Sequence, residues 1–345
     1  MPRIPSAFNP HDWEQHLRFS EDHGVMEAHW PLAGVSIYYP KPTEKWKVAP
    51  DRAEVSACTP QLAFHGHHGY SVGPFSEFFV YAGREPNPVS FTMGTIEGSF
   101  GQVTPLAHLL YHYGHDDDLE GEFSAYQSIR LFGCTKHNAE AALISAVVFL
   151  EKQHGLTCEV FPVGNAEWPE EEAYTGEEKE LEFPNPFSDV EPLRMLFRGR
   201  QERDPESAFL QLYRILEYYS VLTLETQVAA MRSDHGLSTR QFLLDVHQLV
   251  GRDEKTTLGR MMALVADTPM LTRARDSGLI GEATANALTN AVYDFRNSVV
   301  HAKSDHRAKL FSESIFVDES KATAWKRMSE ELAWKAITAF GSRVA

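Results

Sequence analysis

The spacing of hydrophobic and polar positions changes about halfway along the chain. In the first 163 residues, short apolar runs at Val35–Tyr39, Phe78–Ala82 and Val89–Thr95 are bounded by glycine and proline. Val89, Phe91, Met93 and Thr95 alternate with their neighbours, the period-two pattern of a half-buried strand. Helix signals are interspersed. Thr104-Pro105 is a cap followed by proline at the first helical position, opening a short helix that Gly114 stops. Asn138 opens a longer helix, through Ala141–Ile144 and Val147–Leu150, which Gly155 closes before a strand-like Leu156–Val163. Residues 1–164 are therefore expected to form a mixed α/β domain.

Residues 165–191 differ. They combine prolines, a glycine and a run of acidic residues with little apolar content, and read as a solvated linker in which Phe183-Pro184-Asn185-Pro186-Phe187 is a rigid element. From residue 192 to 345 the spacing is helical throughout. Asp204-Pro205-Glu206 is a strong helix start, followed by Phe209, Leu212, Leu216 and Tyr219 on one stripe. Ser238 caps a helix bearing Phe242, Val246, Leu249 and Val250 and stopped by Gly251. Further helices are predicted over Lys255–Ala266, over Glu282–Lys303, and from Ser320 through Trp325, Met328, Leu332 and Ile337. Each stripe is narrow enough to need a partner helix. The expected fold class is α+β: a mixed α/β domain followed by an all-α up-and-down helical bundle.

Charge sharpens this division. The formal net charge of the 345 residues is −16, from 32 Lys+Arg and 48 Asp+Glu. From residue 191 onward there are 21 basic and 20 acidic residues, a net of +1, so the first 190 carry −17. Bulk charge excludes tight nonspecific binding of nucleic acid, yet only the first half would repel a polyanion, and it could hold RNA off until a trigger arrives. No apolar run approaches the roughly 20 residues that span a bilayer, and Met1–Gln15 lacks the apolar region of a secretory signal. Cys58, Cys134 and Cys158 are scattered and odd in number, which fits inert thiols in a reducing, cytoplasmic setting better than a disulfide framework or a zinc site.

The chemistry is concentrated in Asp294-Phe295-Arg296-Asn297-Ser298-Val299-Val300-His301. Arg296-Asn297-x-x-x-His301 resembles the Arg-x4–6-His motif of the HEPN superfamily, and Ala208–Tyr219 is similar to the opening helix of Apea-like HEPN domains. The resemblance covers roughly residues 192–340. It implies a metal-independent endoribonuclease, without a cofactor, whose motifs pair in a shared cleft across a homodimer, and a role in bacterial defence or toxin systems. The residues suit that chemistry by themselves. When a ribose 2′-hydroxyl attacks the adjacent phosphorus, leaving a 2′,3′-cyclic phosphate and a 5′-hydroxyl, the reaction needs proton transfer and cationic stabilisation. His301 titrates near neutrality and suits either proton-transfer role. Arg296 offers a permanently charged fork to phosphate oxygens, and Asn297 can orient His301 or bind a phosphate.

Asp294, Asn297 and His301 share a face of a continuous helix. Arg296 and His301 lie about 140° apart on it, so the helix begins or kinks near Arg296, the arginine wraps round, or two copies face each other. Glu217 and Arg214 read first as a solvent-facing pair, with support of the site by Glu217 as the other option. Two alternatives remain. One is a non-catalytic HEPN dimerisation module that presents the N-terminal domain to a protein or ligand partner. The other is a metal-dependent hydrolase using His65, His67 and His68, or His108, His112 and His115 with Asp116–Asp118, although no composite metal motif such as HExxH is present.

Overall fold

The computed structural model describes residues 15–40, 52–82, 88–112, 127–161, 179–234, 236–250, 254–301 and 321–343. The protein is mixed α/β, with a sheet-rich N-terminal half and helices in the C-terminal half. The chain divides into two compact units, residues 1–188 with 343–345, and residues 189–342.

The first unit opens with an antiparallel three-stranded sheet of β1 (Arg18–Asp22), β2 (Val25–Trp30) and β3 (Val35–Pro40). His23 and Gly24, at φ 49° and 83°, form the two-residue β1–β2 turn, the positive-φ pair that such hairpins favour. One face of this sheet is apolar and buried, through Ala28, Trp30, Val35, Ile37 and Tyr39. Helix α1 (Arg52–Cys58) packs on β3. The larger sheet contains β4 (Leu62–Phe64), β5 (Gly69–Val72), β6 (Phe75–Tyr81), β7 (Val89–Met93), β8 (Ile96–Gln102), β9 (Gln127–Phe132), β10 (Glu159–Val160) and β11 (Lys179–Phe183). Its order is β11-β7-β8-β9-β6-β5-β4, with β10 also paired to β6. The β11–β7 pairing is parallel and the others are antiparallel.

At the β5–β6 hairpin, Gly69 has φ 148° and a Cβ there would sit 2.1 Å from the Glu77 carbonyl oxygen. Gly69→Ala is expected to lower stability by about 1–3 kcal/mol, as overpacking against backbone does, measured as a shift in urea midpoint at unchanged slope. Between the sheet's strands runs a buried polar network. Glu77 is fully buried, and its carboxylate accepts from the Tyr70 hydroxyl at 2.8 Å, the Ser128 hydroxyl at 2.8 Å, the Thr104 amide at 2.8 Å and the Thr104 hydroxyl. Thr104 also caps the short α2 (Pro105–Ala107), which passes into a π-helical turn at His108–His112. In α3 (Ala139–His154), Ala139 and every residue from Ala141 to Leu150 are buried. An apolar surface all the way round makes this an interior helix. Gly155 closes it in the left-handed conformation at φ 73°, as its sequence predicts.

The linker reading needs correction at its C-terminal end. Residues 165–178 lie outside the described residues, but Lys179–Phe183 form β11, and the boundary between units falls after Ser188. Acidic composition concealed a period-two strand: Glu180 and Glu182 are exposed while Leu181 is half-buried and Phe183 buried. Nor is Phe183–Phe187 a solvated spacer. Both phenylalanines pack on Phe149, with ring centroids 5.4 and 6.2 Å away, and Arg343 stacks 4.0 Å over Phe187. The strand expected at Val89–Thr95 ends at Met93, where Gly94 turns at φ 61°. Of Leu156–Val163, Glu159–Val160 is strand and 162–163 fall outside the described residues.

Every regular element described in the second unit is a helix: α4 (Val190–Gln201), α5 (Pro205–Leu222), α6 (Glu225–Ser233), α7 (Thr239–Val250), α8 (Glu254–Val265), α9 (Thr268–Asp276), α10 (Ala285–His301) and α11 (Lys321–Phe340). Asp204 caps α5 by accepting from the Ser207 amide at 2.9 Å, and Pro205 occupies the first turn. The predicted stripe is realised: Phe209, Leu212, Leu216 and Tyr219 are all buried. α5 packs on α4, α8, α10 and α11. Gly199 permits the α4 approach, since a Cβ there would come within 2.8 Å of Leu212. Three helices, α4, α6 and α9, were not predicted individually. The start of α9 repeats the α5 signal, with Asp267 accepting from the Met270 amide at 3.0 Å and proline in its first turn.

Candidate functional site

Helix α10 carries the motif. Thr284 caps its start, accepting from the Ala287 amide at 3.2 Å, and the helix then runs unbroken from Ala285 to His301. It therefore does not begin at Arg296, one of the geometries considered above. Its inward face is set by Leu288 and Val292, both fully buried, and by Phe295. The Phe295 ring stacks on Trp325 of α11 at 5.5 Å and meets Phe209 of α5 edge-on at 4.7 Å.

That anchorage fixes the residue that follows. The Arg296 guanidinium points to α5 and α8, with Nη2 3.7 Å from Glu217 Oε1 and 3.8 Å from Glu254 Oε1. Its Cζ lies 5.8 Å from the centre of the Tyr213 ring, within reach of a cation–π interaction. Nη1 donates to Asn297 Oδ1 at 3.1 Å. The Tyr213 hydroxyl donates to Glu254 Oε1 at 2.7 Å. The arginine side chain is 24% exposed, enough for the charged end to meet an incoming group.

Burial holds the Glu217 carboxyl above the usual carboxylate range, reinforced by the neighbouring Glu254 carboxyl and opposed by Arg296 and Arg214. Burial also raises the Tyr213 phenol, with the bond to Glu254 adding to it. Tyr213 thus stays a donor and orients Glu254.

The structure brings Glu217 and Asn297 to Arg296. The solvent-facing reading of Glu217 and Arg214 is thereby corrected: Arg214 is exposed, but Glu217 turns towards the guanidinium. Asp294 is exposed on α10 and shares the helix side of Asn297 and His301, not that of Arg296. His301 is the last residue of α10, its backbone about 140° round the helix from Arg296, and its side chain lies outside the described residues. Arg296, reaching inward, does not wrap round towards it. Tyr213 and Glu254 were missed by sequence reasoning. Tyr213 lies four residues before Glu217 and so on its face of α5, a usable signal; Glu254 enters from another helix and had none.

The histidine clusters take other roles. His65 sits at a hairpin turn, bonded through Nε2 to the Ser71 hydroxyl at 2.7 Å with its ring 5.1 Å from Phe78. Burial lowers its pKa. His67 is beside the Arg52 guanidinium at 3.4 Å, and His108 is buried. The His112 side chain and all of His115–Asp118 lie outside the described residues. Among the described residues no three of His, Cys, Asp and Glu are grouped to hold a metal ion, and no helix is long and apolar enough to cross a membrane. Burial pushes the Cys134 and Cys158 thiols up to about 11 and about 12, which leaves them poor nucleophiles.

No family model matches the chain, and neither does any curated protein or solved structure. The residues and their geometry carry the functional argument.

Proposed function

We propose that residues 192–340 form a HEPN-like, up-and-down helical domain acting as a metal-independent endoribonuclease. A phosphodiester binds at Arg296, His301 transfers the proton, and the 2′-hydroxyl displaces the 5′-oxygen to leave a 2′,3′-cyclic phosphate. The observation that carries this reading is the placement of Arg296: a partly exposed guanidinium at the junction of three helices, with Asn297, Glu217 and Glu254 beside it. Because α10 is unbroken through the motif, the backbone positions of Arg296 and His301 lie about 140° apart round it. The reading therefore includes a homodimer in which the arginine of one copy works with the histidine of the other, a two-fold arrangement common among oligomers. The first unit would receive a protein or ligand trigger, and a role in defence rests on the motif resemblance alone.

The test is incubation of the purified protein with total RNA in EDTA, followed by analysis of fragment ends. Cleavage with cyclic phosphate ends is expected; cleavage that EDTA abolishes contradicts the reading. One observation favours a second reading, a non-catalytic HEPN dimerisation module. Arg296 is already matched by two carboxylates of its own chain, as a structural ion cluster would be. That reading expects a dimer with no cleavage of any RNA.

A further inference from the structure

Two carboxylates lie within 4 Å of the one guanidinium that the proposed reaction needs. Fully ionised, Glu217, Glu254 and Arg296 carry a net negative charge, and a phosphodiester brought to Arg296 adds another. The site then opposes its own substrate. A proton on the carboxyl pair removes that opposition and weakens the hold of the pair on Arg296. We propose that Glu217 and Glu254 are positioning residues that compete with substrate phosphate for Arg296, so that a phosphodiester binds there together with one proton taken up by the pair. This rests on the ribonuclease reading and adds regulation to it: the site favours substrate as pH falls.

The geometry gives the two glutamates different parts. Glu254 is tethered by the Tyr213 hydroxyl and so is the fixed member. Glu217, whose carboxyl burial and the neighbouring Glu254 raise above the usual carboxylate range, is the member that yields. The charged and titratable groups around Glu217 are Arg214 and Tyr213 of its own helix, Glu254 of α8 and Arg296 of α10. Lys255 of α8 stands over the Tyr293 ring at 5.7 Å. On the other helices packed against α5, Arg200 of α4 and Glu330 of α11 pair with each other at 3.1 Å. An ordinary histidine changes charge in the same pH range, so His301 has to be removed from the measurement.

The experiment therefore uses the full-length protein carrying His301→Ala, and a 2′-O-methyl RNA oligonucleotide that cannot undergo the reaction. Its Kd is measured from pH 7.5 to 5.5 at constant ionic strength. The expected result is tightening with falling pH, up to about tenfold per pH unit for one linked proton. Adding Glu217→Gln and Glu254→Gln, which keep the shape of both side chains, is expected to give tight binding at pH 7.5 and to flatten this dependence. Glu206→Gln, which removes an exposed charge from the first turn of the same helix, is expected to keep the full pH dependence. Equal pH dependence with and without the two glutamates overturns the proposal, as does weaker binding by the glutamine variants. Binding unaffected by Arg296→Ala overturns the ribonuclease reading itself, and this inference with it.

Discussion

Arg296→Ala and His301→Ala are each expected to lower RNA cleavage at least about 100-fold, in proteins that keep their melting temperature and oligomeric state. In the proposed reaction Arg296 meets the charge developing on the phosphate oxygens, and one such preorganised donor is worth about 100–1,000-fold in rate. In the same proposal His301 moves the proton, a contribution of about 100–10,000-fold. Arg296→Lys separates charge from shape. It keeps the charge but loses the planar fork that reaches Glu217, Glu254 and Asn297 together, so it recovers only part of the activity. The measurement is single-turnover cleavage of a defined RNA in EDTA. Unchanged cleavage in either alanine variant contradicts the assignment of that residue.

Phe209→Ala costs about 3–5 kcal/mol of unfolding free energy. Phe209 is fully buried on α5, and its ring meets those of Tyr213 at 5.9 Å, Phe295 at 4.7 Å and Trp325 at 6.4 Å. Three helices share this one side chain, so little can collapse into the cavity that its removal leaves. Urea unfolding followed by far-ultraviolet dichroism, to which the helices contribute most, is expected to show the loss as a lower midpoint. A change below about 1 kcal/mol would contradict the packing described here, since even smaller core truncations commonly cost that much. The substitution also removes the support behind Phe295, and hence the position of Arg296, so RNA cleavage is expected to fall well before the protein unfolds.

How much could be read from the sequence follows from where each signal resides. Local signals were legible. Asp204-Pro205 opened α5 and Gly155 closed α3 because a cap or a left-handed glycine acts within a few residues. The apolar stripe of α5 gave its buried face correctly. Strand β11 was hidden because composition was weighed over a window in which its acids outnumber Leu181 and Phe183, and its pairing partner β7 lies far away in sequence. α9 was overlooked although Asp267 and Pro269 repeat the α5 start, an omission the sequence did not force. At the site, Arg296, Asn297 and the candidate His301 came from one stretch of chain. Glu254 did not, because its proximity to Arg296 depends on how α8 meets α10, which no spacing reports. The 140° offset, read from helix geometry alone, posed the question that the unbroken α10 narrows, and the proposed pairing of two copies of the motif is its answer.

That cooperation is the central claim, and mixing two inactive variants tests it most directly. Arg296→Ala and His301→Ala proteins are combined in equal amounts, allowed to exchange subunits, and assayed for RNA cleavage in EDTA, with exchange followed by mass spectrometry of isotope-labelled chains. Random exchange makes half of the dimers mixed, and in each of these one of the two sites holds both a native arginine and a native histidine. Recovery to about a quarter of wild-type activity is the predicted result. A mixture that has exchanged its subunits and remains as inactive as either parent contradicts it.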